Sequence, residues 1–136
     1  MAFTGNYTCS SFKEALFKGD VDFLVDTIKI ALYTNAATLD ASTTAYTATG
    51  EVVATGYTAT GNTLTPSVSL SSGGIAYVDF ADTSWTAAIT ARGALIYKSS
   101  GTAICVLDFG SDKTSVTTFT VQFPVNNSSS AIIRLN

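Results

Sequence analysis

The chain has 136 residues, enough for one domain with a real core, and 46% of them are hydrophobic. Charged residues make up 12%, against about 25% in an average domain, and the formal net charge is −3. Seven scattered basic residues form no patch for a nucleic acid, and no stretch approaches the run of about eighteen apolar residues that a membrane span needs.

Residues 1–9 carry Phe3 and Tyr7 with no clear period and read as an arm. No basic region followed by an apolar run opens the sequence, so no targeting segment is expected. Ser10 or Ser11 is positioned to cap a short helix from Phe12 to Lys18, closed by Gly19. Ser11 and Glu14 have the capping-box spacing, and Phe12, Ala15 and Leu16 form one apolar stripe. The expected organisation is an arm and helix over 1–19, then one β-sandwich domain over 20–136.

Asp20 to Asp26 is a connector. Thr27 to Tyr33 alternates with period two and predicts a strand. Thr34 to Thr49 is polar, too poor in large apolar groups for a core element, with one irregular turn around Thr43 to Tyr46. Glu51–Ala54 and Gly56–Thr60 read as an extended pair or one bent strand, Gly56 permitting a bulge. A short strand over 62–65 ends at Pro66, which confines it to an edge or a break. Strands follow over 67–70 and 75–80, separated by a Ser-Ser-Gly-Gly turn, and Trp85 lies in a connector.

The stretch from Ala91 to Gly110 organises the rest. It reads as a hairpin of two strands joined by a polar loop around Gly101. Leu95, Ile96, Val106 and Leu107 mark strands with no polar face, and such a hairpin must be covered on both sides. One cover is a second sheet; a loop, a helix or another protein supplies the other. Ser111–Ser115 is read as a loop, 117–123 as a strand ended by Pro124, and 131–135 as a closing strand. The fold class is therefore all-β, with about eight strands at the spacing of a sandwich or barrel and one short helix near the N-terminus.

Chemistry is sparse. Without histidine, the Ser-His-Asp and Cys-His arrangements and the usual zinc ligands are all missing, and no glycine-rich phosphate loop is present. The phrases Tyr77–Asp82 and Val106–Asp112 both place aspartates at strand ends. Calcium binding or a glycosidase pair is the sharp reading of Asp79, Asp82, Asp108 and Asp112, but turn-capping through local backbone bonds is preferred. No catalytic residue, metal or cofactor is therefore expected. Cys105 reads as an inert core thiol, and a disulfide to Cys9 is not indicated. The Asn6, Asn126 and Asn127 sequons read as loop polarity. Trp85 and the tyrosines suit core packing better than a sugar-stacking platform.

The order of several phrases carries a resemblance: Lys29–Thr34, Ala45–Thr47 through Gly56–Thr58, Asp79–Asp82 with Trp85, Ala91–Tyr97, Leu107–Gly110 with Lys113, Phe119–Pro124 and Ala131–Arg134. Across residues 28 to 135 the chain resembles a family of small virion proteins of tailed bacteriophages, the capsid cement, or decoration, protein of a Bordetella-infecting podovirus among them. That resemblance implies a two-sheet antiparallel sandwich of jelly-roll type. It also implies a homodimer that is made in the host bacterial cytoplasm and clamps the outside of a shell of major capsid protein. No site residue follows from it. Phe3, Tyr7, Phe12 and Leu16 are candidates for the protein–protein interface because they lie outside the expected strand array. The competing reading is a carbohydrate-binding sandwich of a phage tail or fibre, using Trp85 and Tyr57.

Overall fold

The computed structural model describes residues 3–136. It is mostly β, with one helix and antiparallel sheets. Among the described residues ten strands, rather than about eight, fall into three sheets: five strands in the order β1-β8-β7-β2-β3, three in the order β10-β5-β4, and the pair β6-β9. The strands are β1 Tyr7–Thr8, β2 Ile28–Tyr33, β3 Asn62–Thr63, β4 Pro66–Leu70, β5 Ala76–Phe80, β6 Thr83–Trp85, β7 Thr90–Lys98, β8 Ala103–Thr114, β9 Phe119–Val121 and β10 Ile133–Leu135; α1 is Ser10–Lys18.

The organising hairpin is β7–β8, at the centre of the large sheet. Leu95 lies opposite Val106 and Ile96 opposite Cys105, and β2 pairs with the other edge of β7. Leu95, Ile96, Ile104 and Val106 are fully buried, whereas Leu107, expected in the core, is only partly buried. The register places Lys29, Ala31 and Tyr33 of β2 on the same face as Tyr97, Leu95 and Gly93 of β7.

The chain itself covers that face. Phe3 packs on Gly93, where a side chain would collide with the Phe3 ring, and the Arg92 guanidinium lies 5.8 Å from the ring centroid. Tyr46 stacks on Tyr97 at 4.9 Å. The segment from 34 to 49, read as too polar for the core, buries Ala37 and Leu39, and the segment from 51 to 60 that follows it buries Val52 and Tyr57. It is fastened through Glu51: Tyr46 and Tyr57 donate their hydroxyls to its carboxylate, Tyr57 at 2.7 Å, and the Thr60 N–H donates at 2.8 Å. Thr60 has a positive φ of 79°, costly for a β-branched residue, but all its polar groups are engaged. Tyr97 donates to its carbonyl at 2.6 Å and Lys29 to its hydroxyl at 2.7 Å.

Several boundaries differ from the sequence reading. Residues 51–60 form no strand beyond one bridge from Glu51 to Tyr33, because successive turns bend the chain back onto β2. At Gly56 (φ 93°) the chain passes so close to the Thr86 carbonyl that no Cβ fits. β8 runs on through the expected loop to Thr114, with an irregularity opposite Arg92, and Trp85 belongs to a strand paired with Phe119. The helix begins after Cys9 with no side-chain cap; Ser11 Oγ is buried without a partner, and Glu14 pairs with Lys18 at 2.6 Å instead of closing a capping box. Gly19 does close it, in the left-handed conformation.

Leu95→Ala should lower stability by about 2–5 kcal/mol through lost burial and the cavity left behind. A melt showing a loss under about 1 kcal/mol would mean that β7–β8 is not the core.

Candidate functional site

Tyr7, Phe12 and Leu16 line one groove of about 480 Å³ between α1, β1 and β10; Phe3 lies elsewhere, under the sheet at Gly93. Phe3 and Phe12 are buried, 3% and 1% exposed, so they act as core and offer little surface to a partner. Tyr7 and Leu16 are half-buried against the core. Phe17, which the apolar stripe of the helix did not include, is 94% exposed at the groove mouth, and Leu135, 53% exposed, faces it from β10.

The exposed apolar surface continues along the three-stranded sheet. Leu135, Ala76 and Leu70 lie in register across β10, β5 and β4, and Val68, Val78 and Ile133 form the next row. The second row reaches into the core through Val78 and Ile133, while Leu70 at the hairpin end stands 72% exposed. The only charged residue in either neighbouring strand edge is Arg134, whose guanidinium donates to the Ser129 carbonyl at 2.7 Å. Lys13 stands on the opposite wall of the groove. Among the described residues neither Lys13 nor Arg134 has a carboxylate partner; the ion pairs are Lys18–Glu14, Arg92–Asp108 and Lys98–Asp26.

The four aspartates do not assemble. No group of three or more histidine, cysteine, aspartate or glutamate side chains converges among the described residues. Asp82 accepts a hydrogen bond from the Phe123 N–H at 2.8 Å, and Asp108 pairs with Arg92 at 3.1 Å and holds the Gly110 N–H. Asp112 sits exposed on β8. Asp79 is not the turn residue expected. It lies within β5, 2% exposed, and neither carboxylate oxygen makes a hydrogen bond. Burial pushes its carboxyl upward from the ordinary value; the Phe80 and Ile132 N–H groups face it and partly oppose that, and the Asp82 charge adds repulsion.

Trp85 and Tyr57 are both buried and pack against each other, 5.8 Å between centroids, so they present no stacking platform. Cys9 and Cys105 are free and buried. Burial pushes the Cys9 thiol up to about 11, with the Asp40 charge adding to it, and Cys105 higher still. No helix among the described residues is long and apolar enough to cross a membrane. No family model matches the chain, and no curated protein or solved structure matches it either.

Because the folded protein holds Asp79 more tightly protonated than the unfolded chain does, its contribution to stability is full in acid and is lost as pH rises from about 4 through the higher folded value. Asp79→Asn should therefore raise the melting temperature at neutral pH and change it little in acid. An equal effect at both pH values would show that the carboxyl is not held protonated. Neither thiol should react with a thiol reagent at neutral pH until the protein unfolds, because each is buried and lacks thiolate character. Stoichiometric labelling of the native protein, followed by mass spectrometry, would contradict this.

Proposed function

We propose that this chain is a non-enzymatic structural protein of a tailed bacteriophage. In this reading it is a decoration protein that binds the outer surface of a shell of major capsid protein and stabilises it, acting as a homodimer on the outside of the virion after synthesis in the host bacterial cytoplasm. The jelly-roll sandwich belongs to the same proposal: the three-stranded sheet and the β6–β9 pair would together form the layer opposite the five-stranded sheet.

The observation that carries the reading is the exposure of Phe17, Leu135 and Leu70, Phe17 and Leu135 on one groove and Leu135 and Leu70 in one cross-strand row, on a chain so poor in charge. Large apolar side chains grouped on one surface favour a partner, and an uncharged Thr/Ser surround costs little to strip of water. The sequence phrases from 28 to 135 point the same way. A packaged genome pushes outward on its shell. A protein spanning the seams adds interface that must be lost before the shell opens, at about 1,600 Å² for a standard specific contact, repeated over the lattice. No step of this task needs an acid, base or nucleophile. The carbohydrate-module alternative would need rings other than Trp85 and Tyr57 for its platform.

Purified protein mixed with shells of the parent phage that lack it should cosediment with them and raise the temperature at which they open. Binding should vary little with salt, since few charges are available to screen. Phe17→Asp should weaken it at least about tenfold, as for an interface anchor. Failure of the full chain to bind such shells, with binding to a glycan instead, would replace this reading by the carbohydrate module.

A further inference from the structure

The groove beside α1 has a property beyond its apolar lining: two sheets turn free edges toward it. β1 is the last strand of the five-stranded sheet and β10 the last of the three-stranded one, and Thr8 and Arg134 both line the groove. Antiparallel pairing alternates residues that bond to the neighbouring strand with residues that point away. The Cys9 N–H donates to the Ile104 carbonyl, so Cys9 and, two residues back, Tyr7 bond toward β8, and Thr8 points outward. On the other side, the Ala81 N–H donates to Thr65 and the Ser71 N–H to Ile75, which turns Asp79 and Tyr77 of β5 toward β4. Val78 and Ala76 then serve β10 through Ile133 and Leu135, and the N–H and C=O of Arg134 point away from the sheet. Neither Thr8 nor Arg134 has a backbone hydrogen bond at that edge among the described residues.

The groove thus offers backbone donors and acceptors on both walls, the apolar side chains of Leu16 and Leu135 along them with Phe17 at the mouth, and Lys13 and Arg134, neither with a carboxylate partner, at its rim. A second groove of about 370 Å³ adjoins it, sharing Asn6, Tyr7 and Thr8 and extending to Pro124, so the trough is elongated along β1. An open strand edge is a template for a further strand, and extended peptides are recognised in this way, with backbone bonds giving affinity and alternate side chains specificity.

We propose that this trough binds an extended segment of a partner protein by strand addition, the segment presenting apolar side chains to Leu16, Phe17 and Leu135 and at least one carboxylate to Lys13 and Arg134. The bound strand joins the free edges of the two sheets. Two cations without carboxylate partners select an acidic segment over a basic one. The inference rests on the decoration reading only for the identity of the partner; the trough's own chemistry does not depend on it.

The test uses the full chain, ¹⁵N-labelled, and a set of end-blocked ten-residue peptides that alternate apolar residues with Asp or Glu, beside the same set with Lys in their place. Acidic members should bind with amide shifts centred on Thr8 and Arg134 and slowed hydrogen exchange there. The basic set should bind at least about tenfold more weakly. N-methylation of either alternate set of peptide residues should weaken binding, one set by losing the bonds to Thr8 and the other those to Arg134, the signature of a strand paired on both sides. Both Lys13 and Arg134 are exposed, so Lys13→Glu with Arg134→Glu leaves the fold intact and should reverse the charge preference. Absence of binding by every acidic peptide at millimolar concentration, or no loss of binding from either N-methyl set, overturns strand addition. Concentration-dependent protection of Thr8 and Arg134 with no peptide present would make a second copy the occupant and overturn the proposal as well. Shells that bind wild type and the double variant equally well overturn the trough while leaving the decoration reading standing. Peptide binding without shell binding does the reverse.

Discussion

A central hairpin without a polar face constrains everything around it. β7 and β8 place apolar side chains on both surfaces, and water is tolerable on neither. The chain has one short helix and long stretches of threonine and serine with which to cover the second surface. A polar loop gains little by burying itself, so it must be tied down by specific bonds. Glu51 does this by gathering two tyrosine hydroxyls and a backbone N–H around one carboxylate, and the tyrosine rings that deliver those hydroxyls become the cover. Removing the carboxylate would leave buried donors without an acceptor, which costs more than the bonds themselves contribute.

The arm from Phe3 to Thr8 belongs to the same arrangement. Gly93 leaves a hole in the sheet that Phe3 fills, and β1 then runs along β8. The arm is used for the core, and exposed large apolar side chains stand instead on α1 and at the open end of the three-stranded sheet.

The parts of the fold written in local pattern were legible in the sequence. The alternation of β2, the apolar runs of β7 and β8, the turn at Gly73-Gly74 and the strands beside it were read with boundaries close to those observed. Pro66 opens an edge strand, where its missing N–H does no harm. The cover was only partly legible: Ala37 and Leu39 are isolated apolar residues in a polar stretch with no period to announce them, and Val52 and Tyr57 were read into strands where the chain makes turns. Nor was the end of β8, where Asp112 and Lys113 look like a loop until an exposed strand gives them a place. Tyr7 and Leu16 were singled out as outliers from the strand array, and they do line the groove. The groove itself escaped notice because its walls come from opposite ends of the chain and its polar groups belong to the backbone.

The pairing of β1 with β8 also governs how the protein is born. Tyr7 finds its partner only at Val106, and Tyr33 of β2 pairs with Gly93 of β7, 60 residues further on. Contacts so distant in sequence close large loops before they return any stability, which places such topologies among the slow folders, in the range of milliseconds to seconds. The arm is made well before β8, the strand it pairs with. Until the hairpin is made, β2 has no central partner and the arm has no sheet to join, so neither can pair before β7 and β8 are present.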